Sequence, residues 1–185
     1  MNDLRLIRDQ KIIQFDNDQN FKKDDFYISN SNQHIVKLID DWPKWEKNFL
    51  NINGDRYSGK THLINIFLKK FKGIKFEANS FINENLKEIK IHQNIVLENL
   101  TKNIDEKLLY SLFNIIDQDN KYLLITTTEP IAEIKFNLKD LKSRTKNFLL
   151  QNIKKPDDDL LFALILKNLS DRQISLEKKL INYII

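Results

Sequence analysis

From Phe49 onward two hydrophobic rhythms alternate along the chain. Five short runs, Phe49–Asn53, Ile74–Glu77, Asn94–Glu98, Tyr122–Thr126 and Phe148–Gln151, have the length and composition of strands. Between them, apolar residues recur three and four apart over Thr61–Phe71, more weakly over Phe81–Lys90, and again over Asp105–Gln118 and Leu138–Thr145. Leu108, Leu109, Leu112, Phe113 and Ile116 make a continuous stripe on one side of the third of these. This alternation predicts a mostly parallel five-stranded sheet with helices on both faces, a three-layer α/β/α arrangement.

Two flanking regions differ. Ile35, Val36, Leu38 and Ile39 predict a helix within Ser31–Trp42, capped by Ser31 or Asn32 and ended by Pro43. After the last strand the pattern is all-helical. Pro156 reads as a first helical residue, with Asp157-Asp158-Asp159 complementing the positive end of the helix dipole and Leu160–Leu169 continuing it. A second helix is expected from about Ser175, and the apolar end Tyr183-Ile184-Ile185 reads as a small helical lid truncated before a partner helix. The expected division is therefore an arm over 1–30, an α/β domain over 31–153 and a partial lid over 154–185.

Composition narrows the function classes. A chain of 185 residues with 41% hydrophobic and 30% charged residues suits a globule with a real core. The absence of cysteine removes disulfide scaffolds, thiolate metal sites and cysteine nucleophiles. No apolar run approaches the roughly 20 residues of a membrane span, and Met1-Asn2-Asp3-Leu4-Arg5 opens no secretory signal, so a cytoplasmic protein without membrane contact is expected. The net charge of +4 is dispersed in short pairs such as Lys69-Lys70, a solvated surface rather than a nucleic-acid stripe. His34, His62 and His92 have no ligand spacing.

Two of the three glycines lie in Gly54-Asp55-Arg56-Tyr57-Ser58-Gly59-Lys60-Thr61, which fits G-x-x-x-x-G-K-[ST] between an expected strand and an expected helix. In that context the loop amides converge on phosphate oxygens, Lys60 reaches the outer phosphates and the Thr61 hydroxyl can ligate Mg²⁺. Tyr57 stands where many such loops carry a further glycine, and a positive φ there would strain it. Ile95-Val96-Leu97-Glu98-Asn99 is the candidate second element. Glu98 takes the metal-facing position, while Asn99 replaces the carboxylate that would polarise an attacking water, which favours binding over turnover. An exposed strand end with a capping Asn is the alternative. Thr126 and Thr127 close a further strand, where their hydroxyls would sense a γ-phosphate; the β-propensity of threonine accounts for them equally. Arg144 closes the helix before the last strand, either as a finger reaching a neighbouring subunit's nucleotide or as a surface salt-bridge partner.

The order of these motifs resembles the AAA+ P-loop ATPases of the bacterial DnaA/Hda group, most of all its short Hda-like regulatory inactivators of DnaA. The resemblance runs along essentially the whole chain. It rests on Asp25-Phe26-Tyr27-Ile28-Ser29-Asn30-Ser31-Asn32 before the first helix, Trp42-Pro43-Lys44-Trp45, Gly59-Lys60-Thr61-His62-Leu63, the box Leu138-Lys139-Asp140-Leu141-Lys142-Ser143-Arg144, and Pro156-Asp157-Asp158-Asp159 at the lid. It implies that Phe26, Tyr27 and Ile28 lie against adenine, that residues 54–62 hold ADP or ATP with Mg²⁺ at Thr61 and Glu98, and that Arg144 is an arginine finger acting in trans. It also implies an N-terminal segment docking on the DNA polymerase sliding clamp. Gln10-Lys11-Ile12-Ile13-Gln14-Phe15 is similar in its leading glutamine and spaced apolar residues, with Gln10, Ile13 and Phe15 as anchors.

The function so implied is regulation of chromosome replication initiation, by stimulating ATP hydrolysis on DnaA together with the clamp. DNA would be contacted through the clamp, and a homodimer is open. Intrinsic hydrolysis is expected to be weak or absent, because Asn99 lacks a basic oxygen and the chain ends before the family's sensor 2 arginine. The alternatives are a self-sufficient DnaA-like ATPase for DNA or helicase loading, and a non-hydrolysing adaptor with a degenerate P-loop.

Overall fold

The structure is a computed structural model that describes residues 27–175 and 179–180. Gln10, Ile13, Phe15 and Phe26, and most of the expected second lid helix, lie outside the described residues.

The chain runs α1 (Gln33–Asp40), β1 (Phe49–Asn53), α2 (Lys60–Phe71), β2 (Ile74–Glu77), α3 (Asn85–Ile89), β3 (Asn94–Glu98), α4 (Glu106–Gln118), β4 (Tyr122–Thr127), α5 (Lys139–Thr145), β5 (Leu149–Asn152) and α6 (Asp158–Asp171). The five strands form one parallel sheet in the order β2-β3-β4-β1-β5. The alternation of side chains along each strand divides the core in two. Leu50, Ile52, Val96 and Leu124 pack with Ile35 and Ile39 of α1 and Leu63, Ile64 and Phe67 of α2. Ile95, Leu97, Leu123 and Ile125 pack on the other face with Leu109, Leu112, Phe113 and Ile116 of α4 and with Leu141 of α5. The expected five-stranded α/β/α sheet is therefore present, with helices on both faces.

Three local expectations are corrected. Of the weak helical pattern over Phe81–Lys90 only the five-residue α3 forms, preceded by a 3-10 turn at Ala78–Ser80, because Phe81 is extended and packs on Phe76 in the core. The last strand covers Leu149–Asn152, one residue later than expected, with Asn152 paired to Asn53. Pro156 stands outside α6: the Asp157 carboxylate accepts from the Leu160 amide and makes Asp157 the cap, since an Asp at this position satisfies an orphan donor that proline cannot.

Two polar devices pin the sheet. Asn51, fully buried in β1, donates to Ile125 O and Thr127 Oγ1 and accepts from Ile131 N, so a central strand, its neighbour and the following turn share one side chain. A Cβ at Gly73 would come within 2.5 Å of Asn94 O, so the entry to β2 requires a glycine to pass the edge of β3.

Candidate functional site

The loop 54–59 leaves the carboxyl end of β1 and turns into α2. Gly54 N donates to Thr127 O, which ties the loop's start to β4. Gly59 caps α2 with φ 91°, a left-handed conformation that glycine adopts without strain. Tyr57 has φ 64° with its ring fully exposed, so the strain anticipated from the sequence is present and nothing packs on the ring to offset it.

Lys60, 8% exposed, lies in the first turn of α2. Its ammonium donates to Gly54 O and Asp55 O at 2.7 Å each and reaches Ser58 Oγ at 3.5 Å. Burial holds its pKa below the ordinary value near 10.5, while the charges of Asp55 and Glu98 pull it back up. The lysine thus curls the loop around itself. Thr61 is exposed beside it, His62 is half-buried, and Asp55 and Arg56 face solvent.

Glu98 ends β3 at 1% exposure, on the same face of the sheet as α2. Neither carboxylate oxygen accepts a hydrogen bond from the described residues; Oε2 meets Lys75 Nζ at 2.8 Å in an ion contact without hydrogen-bond geometry. Asn99 follows with φ 57°, a conformation asparagine tolerates. Its amide nitrogen donates to Thr126 Oγ1 and its side chain donates to Glu77 Oε2 at 3.0 Å. Thr126 therefore stands on the loop's face of the sheet, whereas Thr127 takes Asn51's proton on the opposite face. The exposed Thr61 hydroxyl and the Lys60 ammonium suit a nucleotide's phosphates, whereas the buried Glu98 carboxylate, the expected magnesium ligand, already meets the Lys75 ammonium at Oε2.

Tyr27 and Ile28 are half exposed just before α1. Asn32 holds them there, donating to Tyr27 O and accepting from Ser29 N rather than capping α1 through its own side chain.

Arg144 is remote from all of these. Its Nη1 lies 2.7 Å from Asp117 Oδ2, its guanidinium sits 5.1 Å from the Tyr110 ring centroid, and it lines a cavity with Glu46, Lys47, Phe49 and Phe148. That cavity opens where β1 and β5 begin, whereas the 54–59 loop follows the end of β1. Five residues of strand, roughly 16 Å, separate the two levels. Sequence reasoning missed Lys75 and Glu77, the two edge-strand residues that hold Glu98 and Asn99; their only signal was their one-in-two spacing on β2.

No protein-family model matches the chain. It is 28% identical over 149 residues to the chromosomal replication initiator protein DnaA of Borreliella afzelii (strain PKo), covering 68% of this chain and 31% of that protein. With DnaA of Thermoanaerobacter sp. (strain X514) it shares 26% identity over 187 residues, 87% of this chain and 42% of that protein. The chain thus spans less than half the length of these relatives. Among solved structures, replication initiator DnaA bound to AMPPCP and single-stranded DNA matches with a TM-score of 0.69 at 20% identity, over 89% of this chain and 59% of that one. A structure described as a DNA replication initiation factor gives 0.72 at 20% identity, over 89% and 58%. The fold is that of the AAA+ P-loop NTPase domain of DnaA.

Proposed function

We propose that this chain is a nucleotide-binding regulator of chromosome replication initiation that presents Arg144 in trans to ATP held by DnaA. The observation that carries this reading is the separation of Arg144 from its own loop. A third of its side chain is exposed, paired with Asp117 at the end of the sheet opposite Lys60, which supports service to another molecule's nucleotide over its own. Residues 54–62 bind ADP or ATP, with Tyr27 and Ile28 against the base and the Thr61 hydroxyl as the group that would ligate any Mg²⁺ entering with the phosphates. Bound Mg²⁺ supplies charge neutralisation of the phosphates. Asn99 donates to Glu77 and cannot accept a proton from water, so intrinsic turnover stays low. Arg144 stabilises charge developing on the partner's γ-phosphate, an effect worth roughly 10³–10⁵ in rate for such fingers. Docking on the sliding clamp through Gln10, Ile13 and Phe15 brings the chain to DNA and to DnaA.

The test is ATP hydrolysis by purified ATP-loaded DnaA, with this chain added in the presence and absence of DNA-loaded clamp. Stimulation is expected, lost in Arg144→Ala while ADP still raises the melting temperature of that variant. No stimulation by the wild-type chain overturns the reading.

One observation favours a second reading, a non-hydrolysing adaptor whose loop is a remnant. Lys60 already satisfies the loop's own carbonyls, and Tyr57 strains it. In that case ADP in large excess leaves the melting temperature unchanged, since a ligand that binds the native state must stabilise it.

A further inference from the structure

Glu98 is a carboxyl group buried to 1% exposure, and a charge carried there requires a counter-charge. The conventional arrangement of a strand-ending acid beside a phosphate loop leaves that role to a divalent cation. Here β2 supplies a cation of the chain's own. In the parallel pairing Lys75 lies opposite Val96 and Glu77 opposite Glu98, so Lys75 and Glu98 are diagonal neighbours on one face of the sheet. The four-carbon stem of Lys75 spans the diagonal and puts Nζ 2.8 Å from Oε2. Its side chain keeps 35% exposure, so the ammonium lies where the buried acid meets the surface.

We propose that Lys75 is a resident substitute for the divalent cation at Glu98, and that it makes nucleotide binding by this chain nearly independent of Mg²⁺. The inference rests on the reading of residues 54–61 as a phosphate loop. Lys60 and Lys75 put two ammoniums around Glu98 before any metal enters, with Asp55 beside Lys60 and Glu77 beside Glu98 as the other charges. A divalent ion approaching Glu98 has to displace the Lys75 ammonium or accept it as a like-charged neighbour within a few ångströms, which costs affinity in a poorly solvated site. A triphosphate or diphosphate, by contrast, gains a second ammonium near its tail. Lys75 is thus a positioning and specificity residue, selecting metal-free nucleotide.

The experiment titrates a fluorescent mant-ADP into the full chain in excess MgCl₂ and in excess EDTA. Wild type is expected to bind in both buffers within about threefold, and Lys75→Met to lose at least about tenfold when Mg²⁺ is removed. Because Lys75→Met leaves Glu98 buried and unpaired, Lys75→Met/Glu98→Gln is the folding control: it removes both charges, and its affinity is expected to be the same in both buffers. A wild type that loses tenfold or more in EDTA overturns the proposal while leaving the phosphate loop intact. No binding by wild type in either buffer overturns the phosphate loop and this proposal together. A purely structural role for Lys75 would lower the melting temperature of Lys75→Met without creating a Mg²⁺ dependence, which also overturns it.

Discussion

Arg144 and Asp117 form an ion pair of 2.7 Å between the last turns of α5 and α4. Both partners are substantially exposed, so the pair is of the kind that contributes under about 1 kcal/mol and opens readily. The cation–π contact with Tyr110 orients the guanidinium without burying it. If Arg144 meets a partner's phosphate as proposed, an exposed pair of this kind releases it more easily than a buried bridge would.

Asp117→Asn therefore loosens Arg144 without unfolding α5. The melting temperature is expected to fall by no more than about 2–4 °C, the shift that 1 kcal/mol gives a domain of this size. Stimulation of DnaA should persist or rise. If it vanishes as completely as in Arg144→Ala, Asp117 takes part in the partner contact itself and does more than park the arginine.

Lys60 sets a pH dependence whose sign can be worked out. Burial lowers its pKa from the ordinary value near 10.5, and phosphate oxygens brought within hydrogen-bond reach must raise it again. Binding of ADP at alkaline pH then takes up a proton. Affinity falls as pH rises through the free-state pKa, by up to about tenfold per unit, until the bound-state pKa is passed. Calorimetry in two buffers of different ionisation enthalpy measures the uptake, which Lys60→Met should abolish. Equal heats in both buffers for wild type would remove Lys60 from the phosphate site.

Glu106 fixes the helix that carries Arg144. Its carboxylate accepts from Asn137 N and Leu138 N at the entry to α5. The Asn137 amide bond is the main cause that holds its pKa below the ordinary value near 4.5, and the Leu138 amide adds to it. For a carboxylate lowered in the folded state, the stabilisation is complete above the unfolded value and disappears as pH falls through the folded one. Glu106→Gln should accordingly be less stable than wild type at neutral pH, and the two should converge in acid. Urea titrations across pH 2–7, a range of order five units, follow the difference.

Much of this architecture was legible because burial imposes a period. Leu50 and Ile52 alternate with Asn51, and Ile95 and Leu97 with Val96, so the strand limits could be read to within a residue. The turn from β1 into α2 was legible because the G-x-x-x-x-G-K-[ST] spacing sets a loop between a strand and a helix. Lys75 and Glu77 were not, because a lysine and a glutamate on an edge strand look like solvated surface until the register with β3 is known. Nor was the level of Arg144 in the sheet visible from its box of residues; it follows from where α5 meets β5. Phe81 misled because an aromatic residue at helical spacing packs equally well from an extended segment.

Tyr57 offers the simplest stability gain. At φ 64° a tyrosine carries left-handed strain, and its exposed ring gives nothing in return. Tyr57→Gly should gain up to about 1 kcal/mol, the relief of strain exceeding the entropy glycine adds to the unfolded chain. The shift in melting temperature measures it, and a loss of stability would mean that the ring has a partner in the folded ensemble.

The last prediction concerns turnover. Asn99→Asp supplies the carboxylate that the strand end lacks, and by motif alone it should create an ATPase. The geometry argues otherwise. The Asn99 side chain donates to Glu77 Oε2 at 3.0 Å, so an aspartate there loses a donor and faces a like charge. Its backbone is also held left-handed, its amide donating to the Thr126 hydroxyl, so relief from that repulsion has to come from side-chain rotation. At this exposed site the repulsion should cost about 1 kcal/mol and turn the carboxylate away, leaving steady-state hydrolysis at the wild-type level. Asn99→Asp/Glu77→Gln restores a donor opposite the new acid and recovers the stability lost. Phosphate release assays on the three proteins separate the alternatives: full activity in the single variant would show that Glu77 does not govern this position.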